Sequence, residues 1–179
     1  MVTADHGASC ASSASPYIND CHFDAVGQLL SHIYGHLDPP VAQPAGRVLA
    51  FDQNEFAGDA YRVSMANKGY VYVLHSCETT VCRVHVAFHG CRQNADAVGM
   101  AFVREAGYNR WADNNRIIVL YRQSIARYGF GGRPVSFVFN PTACWDWWGY
   151  TGPVYHTRRG PLIEAVQAML ARLAERRSR

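Results

Sequence analysis

The chain has 179 residues, of which 49% are hydrophobic, so it can bury one sizeable core and is predicted to be a single domain, or part of one, over residues 1–179. No run of about eighteen apolar residues occurs, and residues 1–6 lack the apolar stretch of a signal peptide, so neither a membrane span nor a targeting segment is expected. The net charge is only +3, with the excess arginines at 158–159 and 172–179, and no nucleic-acid partner is expected.

The first half of the chain predicts a loop, a helix and four short strands. Residues 1–20 are small and polar, which is typical of a loop. After a start signal at Asn19-Asp20, apolar residues recur at helical spacing until Gly35 ends the pattern: Phe23, Val26, Leu30, Ile33 and Tyr34. Strand patterns follow at 47–51, 60–65, 69–75 and 83–88.

The second half predicts two helices around one buried strand. Val98, Phe102 and Ala106 predict a helix over 97–111, and the apolar run 117–121 predicts a strand covered on both faces. Residues 124–153 have no regular period, which is typical of a functional or disordered stretch. Pro161 opens a helix over 161–175 with one apolar face. These elements predict an α/β fold in which helices flank a sheet.

The segment 83–93 combines a buried strand with an abrupt His-Gly-Cys turn at its carboxyl end. Gly90 allows a sharp turn, so the backbone N–H groups at Cys91 and just beyond it can point outward. Outward N–H groups are what a hydrolase needs to hold a developing oxyanion. The alternative is that the turn is only architecture, because a strand, a glycine turn and a helix form the commonest unit of α/β proteins.

A second cluster, over 139–153, contains three tryptophans beside Cys144 and Asp146. Three tryptophans within four positions cannot all point inward, so at least one is expected at the surface, and Asp146 is expected to order the loop rather than to react. Together with residues 89–93, residues 144–150 resemble segments of the polyhydroxybutyrate depolymerases and related esterases, which are α/β-hydrolases. The resemblance extends to 15–21, 51–53, 55–56 and 107–112.

The resemblance implies a serine carboxylic-ester hydrolase that acts on a hydrophobic polyester or its oligomers, with no cofactor or metal. It assigns the oxyanion donor to the Cys91 amide, in a turn formed with Gly90 and braced by His89. It also implies that residues 139–153 form a substrate loop. The implied substrate-binding residues are Gln93, Trp145, Trp147, Trp148 and Tyr150. Arg122 departs from the family, in which a proline is common after the tyrosine.

The sequence has no Gly-x-Ser-x-Gly nucleophile elbow. In many depolymerases the domain is circularly permuted, so the resemblance implies a C-terminal portion that lacks the nucleophile-bearing half and is inactive alone. The catalytic histidine of the family lies just ahead of a segment resembling 2–10; His6 does not match that position and is expected to be an exposed loop histidine. The missing half is the implied partner. Its absence would leave the edge of strand 83–88 unpaired.

Two other interpretations stay open from the sequence. In the first, the chain is a non-catalytic module that binds a polymer or glycan through its tryptophan loop. In the second, it is a truncated gene product.

Six cysteines indicate disulfides and an oxidising compartment, so a secreted or periplasmic protein is expected from cysteine usage and from the resemblance. The candidate pairs are Cys10–Cys21, which would staple residues 1–21, Cys77–Cys82, and Cys91–Cys144; the sequence alone leaves the pairing open. Zinc is the rival explanation, since His75 and His89 lie near Cys77 and Cys82. The spacing is unlike that of a zinc knuckle, so no metal is expected.

Overall fold

A small N-terminal unit precedes the main sheet in the computed structural model, which describes residues 1–131 and 136–175. Three two-residue strands, β1 (Val2–Thr3), β2 (Ala8–Ser9) and β3 (Asn19–Asp20), pair in parallel in the order β1-β3-β2. Helix α1 (Ala25–Tyr34) follows. It begins at Asp24, whose carboxylate accepts the Gly27 N–H at 2.8 Å, and ends at Gly35, whose φ of 80° suits glycine.

The main sheet has four strands in the order β4-β5-β7-β6. They are β4 (Arg47–Asp52), β5 (Lys68–Val73), β6 (Arg83–Phe88) and β7 (Ile117–Arg122). β4 and β5 form an antiparallel hairpin, β7 is antiparallel to β5, and β6 is parallel to β7. All six residues of β7 are buried, as its apolar run predicts, whereas β6 lies at an edge of this sheet.

Helices cover both faces of the sheet and bury two cores. On one face, α1 packs with α4 (Ala101–Glu105) and α5 (Tyr108–Asn115) over Ile117, Val119 and Tyr121 of β7. On the other face, α6 (Pro161–Ala174) packs over Leu120, with Val138 and Tyr150 beside it. The remaining helices are short: α2 (Asn54–Ala57), α3 (Ala95–Val98) and two 3₁₀ turns at Tyr61–Val63 and His75–Glu78.

Two predicted elements are wrong. The helix predicted over 97–111 is three short helices, α3, α4 and α5, because Gly99 and Gly107 have φ values of 60° and 95°, which interrupt a right-handed helix. The strand predicted over 60–65 is a 3₁₀ turn that ends at Ser64 in the left-handed region, with a φ of 60°. The hydrogen bonds of that turn leave only an isolated bridge between Met65 and Ser124.

The segment 124–153 contains a hairpin that the sequence did not predict. It consists of antiparallel strands β8 (Arg127–Gly131) and β9 (Ser136–Asn140). Residues 132–135 of the segment, like residues 176–179 of the arginine-rich tail, lie outside the described residues. The outward face of the β8–β9 hairpin carries four exposed aromatic rings, which pair across the strands: Tyr128 with Phe139 and Phe130 with Phe137. We call these four rings the aromatic face.

Three disulfides link Cys10 to Cys21, Cys77 to Cys82 and Cys91 to Cys144, which are the candidate pairs of the sequence analysis. Cys77 and Cys82 are therefore not available as zinc ligands. Within the described residues, no helix is long and apolar enough to cross a membrane.

Candidate active site

The turn after β6 is shaped by the side chain of Gln93. Its Oε1 accepts the Gly90 N–H at 3.0 Å, and its backbone N–H donates to the Gly90 carbonyl at 3.1 Å. Its Nε2 donates to the carbonyls of Pro16 and Tyr17, each at 3.1 Å. Gln93 is buried, so every polar atom of its amide is spent on protein partners. It fixes the turn from within, and its contact with a substrate stays a prediction.

The Cys91 amide lies on the outer side of this turn. Cys91 is exposed, and its N–H has no acceptor within residues 1–131 and 136–175, whereas the next N–H, of Arg92, donates to the Thr142 carbonyl at 2.7 Å. Arg92 has a φ of 63°, which marks the sharp change of direction there. A fixed N–H with no acceptor in the described part of the chain, on an exposed residue at the carboxyl end of a strand, suits an oxyanion donor.

His89 is buried beneath the turn and is held through both ring nitrogens. Nδ1 donates to the Gly90 carbonyl at 2.7 Å, and Nε2 accepts the Ser124 N–H at 3.1 Å. Burial lowers the pKa of His89 to about 4, so the ring is neutral near pH 7, in agreement with one donating and one accepting nitrogen. A histidine held in this way braces the turn and has no free nitrogen with which to move a proton.

Ser124 lies close enough to His89 to resemble a nucleophile and its base, with 3.2 Å between Oγ and Nε2. Both side chains are buried, however, and the Ser124 hydroxyl donates to the Ala143 carbonyl at 2.5 Å. The pair therefore has neither access to a substrate nor the proton arrangement of a catalytic dyad.

The tryptophan loop is tied directly to the turn. The Cys91–Cys144 disulfide joins them covalently, and Trp145 Nε1 donates to the His89 carbonyl at 2.8 Å. The indole of Trp145 also packs against Phe88 and against the guanidinium of Arg122, which lies 4.5 Å from the ring centroid. The turn and the loop are thus one structural unit.

Asp146 orders the next part of the loop. Its Oδ1 accepts the N–H groups of Gly149 and Tyr150 at 2.6 and 2.9 Å. Its Oδ2 accepts the N–H and the hydroxyl of Thr151 at 2.8 and 2.5 Å. With four acceptor contacts, this carboxylate closes the loop in the way that a capping residue closes a helix start.

The structure separates the predicted substrate-binding aromatic residues into two groups. Trp147 and Trp148 are exposed, at 73% and 38%, and contact each other edge to face at 5.1 Å. Tyr150 is buried in the core, where its hydroxyl donates to the Cys144 carbonyl at 3.0 Å, so it supports the loop from below. Trp145 is half-buried, so its exposure lies between that of the two groups.

Two buried residues support the site without a clear sequence signal. Asn140 accepts the Cys144 N–H at 2.9 Å and donates to the Cys144 carbonyl at 2.9 Å, which fixes the start of the loop. Arg122 lies under Trp145 and is 2% exposed. Two of its nitrogens, Nε and one Nη, have no hydrogen-bond partner among the described residues. An asparagine before a proline and an arginine at the end of a strand are too common for a sequence to reveal these roles.

The edge of β6 opens onto the same region. Phe88, the last residue of β6, is 48% exposed beside Trp145, and its strand pairs only with β7 in the described part of the sheet. The amino group of Met1 donates at 2.5 Å to the Tyr17 carbonyl that also receives Gln93. His6 instead lies at the opposite end of the N-terminal segment, bonded to Asp5 and to the Glu105 carbonyl.

The strand order, the parallel β6–β7 pair and the fixed amide after β6 define a portion of an α/β-hydrolase-type domain. No protein-family model matches the chain. The chain is nevertheless homologous to poly(3-hydroxybutyrate) depolymerases. It is 38% identical, over 97% of its length, to a "Poly(3-hydroxybutyrate) depolymerase" of Delftia acidovorans, and 42% identical, over 80% of its length, to a "Polyhydroxybutyrate depolymerase" of Talaromyces funiculosus.

Solved structures agree with this relationship. The crystal structure of the PHB depolymerase from Penicillium funiculosum superposes with a TM-score of 0.84 at 35% identity, covering 94% of this chain and 54% of that one. A PHB depolymerase complexed with an R3HB trimer gives a TM-score of 0.83 at 37% identity and covers 53% of that chain. The chain spans 33% and 43% of the two sequence relatives. The predicted α/β-hydrolase fold and the family resemblance are both confirmed.

Proposed function

We propose that this chain is the oxyanion and substrate side of a serine carboxylic-ester hydrolase that acts on poly(3-hydroxybutyrate) or its oligomers. One observation carries the proposal: the amide of the exposed residue Cys91 has no acceptor in the described part of the chain and is fixed just after β6. The homology to depolymerases, one of them complexed with an R3HB trimer, supports the substrate class.

In this proposal the Cys91 N–H donates to the oxygen that becomes negative when an ester carbonyl is attacked. The donor is preorganised, because Gln93, His89 and the disulfide to Cys144 hold the turn before substrate arrives. One such donor contributes about 3–4 kcal/mol of transition-state stabilisation. Gly90 cannot be the donor, because its N–H is already bonded to Gln93.

The nucleophile, its base and its acid would come from a further polypeptide segment, either of a longer protein or of a separate chain. We propose that a strand of this segment pairs with the open edge of β6. That strand would arrive beside Cys91, where the edge carries the exposed Phe88. The Met1 backbone adjoins the Gln93 turn through the shared Tyr17 carbonyl, so a residue delivered from this side would also lie near the donor.

The exposed Trp147 and Trp148 would hold the apolar part of the polyester next to the donor. Their loop can do so without much ordering cost, since Asp146 and the Cys91–Cys144 disulfide already fix it. The three disulfides favour an oxidising compartment, so we also propose that the protein is secreted or periplasmic.

The test mixes this chain with the portion of the Talaromyces relative that it does not match, which would carry the nucleophile, and measures hydrolysis of a short 3-hydroxybutyrate ester. Two matched variants isolate the amide: Cys91→Ala/Cys144→Ala keeps the N–H at 91, and Cys91→Pro/Cys144→Ala removes it. Both lack the disulfide, whose loss costs about 4 kcal/mol for a separation of 53 residues, so circular dichroism must first show that each is folded.

We expect the proline variant to be slower than the alanine variant by about 10²–10³-fold in kcat. The chain alone should be inactive. Equal rates for the two folded variants, or ester hydrolysis by this chain alone, would overturn the proposal.

A second candidate function, polymer binding without hydrolysis, is favoured by the amount of exposed aromatic surface. Besides Trp147 and Trp148, the chain exposes the four rings of the aromatic face, which are between 55% and 75% exposed. Large exposed apolar surface favours an interaction surface. Retention on polyester granules by the chain alone, weakened by Trp147→Ala and Trp148→Ala but not by Phe23→Ala, an exposed residue just before α1, would support it. If none of these substitutions alters the retention, the result would count against this function.

A further inference from the structure

Two neighbouring residues join the N-terminal segment to the helices: His6 contacts α4, and Asp5 contacts α5. His6 Nδ1 lies 2.8 Å from Asp5 Oδ1, and His6 Nε2 lies 2.5 Å from the Glu105 carbonyl oxygen. The other carboxylate oxygen of Asp5 accepts from Arg110 of α5 at 2.7 Å. A cleft of about 170 Å³ lies at this junction and is lined on its far side by Asp24 and Trp111.

Both partners of the His6 ring are acceptors. A carboxylate and a backbone carbonyl have no proton to give, so each contact requires an N–H on the ring. A neutral imidazole has only one N–H and would turn a lone pair toward one of the two oxygens. Only the imidazolium form satisfies both contacts, in contrast to His89, whose two partners are one donor and one acceptor.

The charges around His6 agree with this assignment. Partial burial lowers the pKa of His6, but the hydrogen bonds to Asp5 and Glu105 outweigh it, and the pKa is raised above its ordinary value. Asp5 is negative, and Arg110 of α5 is the opposing positive charge; Asp24, at the start of α1, lines the same cleft. The net field therefore favours the cation.

The segment that His6 holds also contacts the candidate active site. The Met1 and Thr3 carbonyls accept the N–H groups of Asn19 and Cys21 at 2.9 and 3.0 Å. The Met1 amino group shares the Tyr17 carbonyl with Gln93. Movement of the segment would therefore reach the turn that carries Cys91.

We propose that His6 is a pH-sensitive latch, which in its protonated form fastens the N-terminal segment to α4 and holds it less tightly once the ring loses its proton, while Arg110 of α5 continues to bond Asp5. The latch goes beyond the proposed function and does not depend on it. The stabilising effect of the latch is fully present below the ordinary titration range of histidine. It disappears as pH rises through the raised pKa of His6 in the folded protein.

Two NMR measurements on the wild-type chain test the latch. The ring-nitrogen shifts of His6 should report a doubly protonated ring at about pH 5 that titrates above the ordinary histidine range. The exchange protection of the Asn19 and Cys21 amides, corrected for the intrinsic pH dependence of exchange, should fall several-fold from about pH 5 to about pH 8. In His6→Gln the corrected protection should not depend on pH, whereas His32→Gln, an exposed histidine of α1, should behave as the wild type.

Titration of His6 at or below the ordinary range, or the same pH dependence in His6→Gln as in the wild type, would overturn the latch. Neither readout uses catalysis, so failure of the latch leaves the proposed ester hydrolysis untouched.

Discussion

Replacement of Asp146 tests whether one carboxylate orders the tryptophan loop. Asp146→Asn keeps Oδ1 as the acceptor for Gly149 and Tyr150 but loses the acceptor for both contacts of Thr151. Asp146→Ala loses all four. With a net contribution of about 1 kcal/mol for each bond, alanine should cost about 4 kcal/mol and asparagine about 2 kcal/mol in the free energy of unfolding.

Urea unfolding followed by far-ultraviolet circular dichroism measures these free energies, with the m-value as a check that the transition stays the same. Asp96→Asn is the matched control, because Asp96 is exposed in α3 and should change stability by less than about 0.5 kcal/mol. Near-ultraviolet dichroism reports the packing of Trp147 and Trp148 in the same samples. Equal costs for asparagine and alanine, or no cost for either, would refute the assignment.

Two further predictions concern the buried groups beneath the turn. Arg122→Met should raise the unfolding free energy by about 1–3 kcal/mol, since two buried N–H groups lose their desolvation cost while one contact with Trp145 is lost; a lower urea midpoint would contradict this. The wild type should lose up to roughly 3 kcal/mol as pH falls from about 6.5 to about 4, because the unfolded state binds the His89 proton first. This loss should shrink in His89→Gln, and an unchanged pH slope would count against a buried neutral ring.

The sequence predicted well those elements in which local pattern and burial agree. The apolar run of β7 and the helix that starts at Pro161 lie within a residue or two of their predicted bounds, because β7 is buried throughout and one face of the helix is buried. The helix expected over 97–111 failed at Gly99 and Gly107, whose positive φ values outweigh the apolar spacing. Periodicity alone does not show where a glycine takes the left-handed region.

The β8–β9 hairpin was missed because its pattern is inverted. The buried positions of β8 are Arg127 and Gly131, one polar and one small, while the aromatic face points outward. The alternation was present in the sequence, but it is not the pattern expected when apolar residues face a core.

The motifs of the site located its parts, but not their exposure. Gln93 and Tyr150 could not be recognised as buried supports, because burial depends on the contacts of distant residues, such as the Pro16 and Tyr17 carbonyls that receive Gln93.

Hydrogen exchange can show whether a further segment completes the sheet by pairing with β6. The chain is mixed with the portion of the Talaromyces relative that it does not match, and amide protection is compared at the two edges of the sheet, β6 and β4. We expect the amides of β6 to gain protection while those of β4 stay unchanged. No gain at β6, or an equal gain at both edges, would contradict pairing at β6.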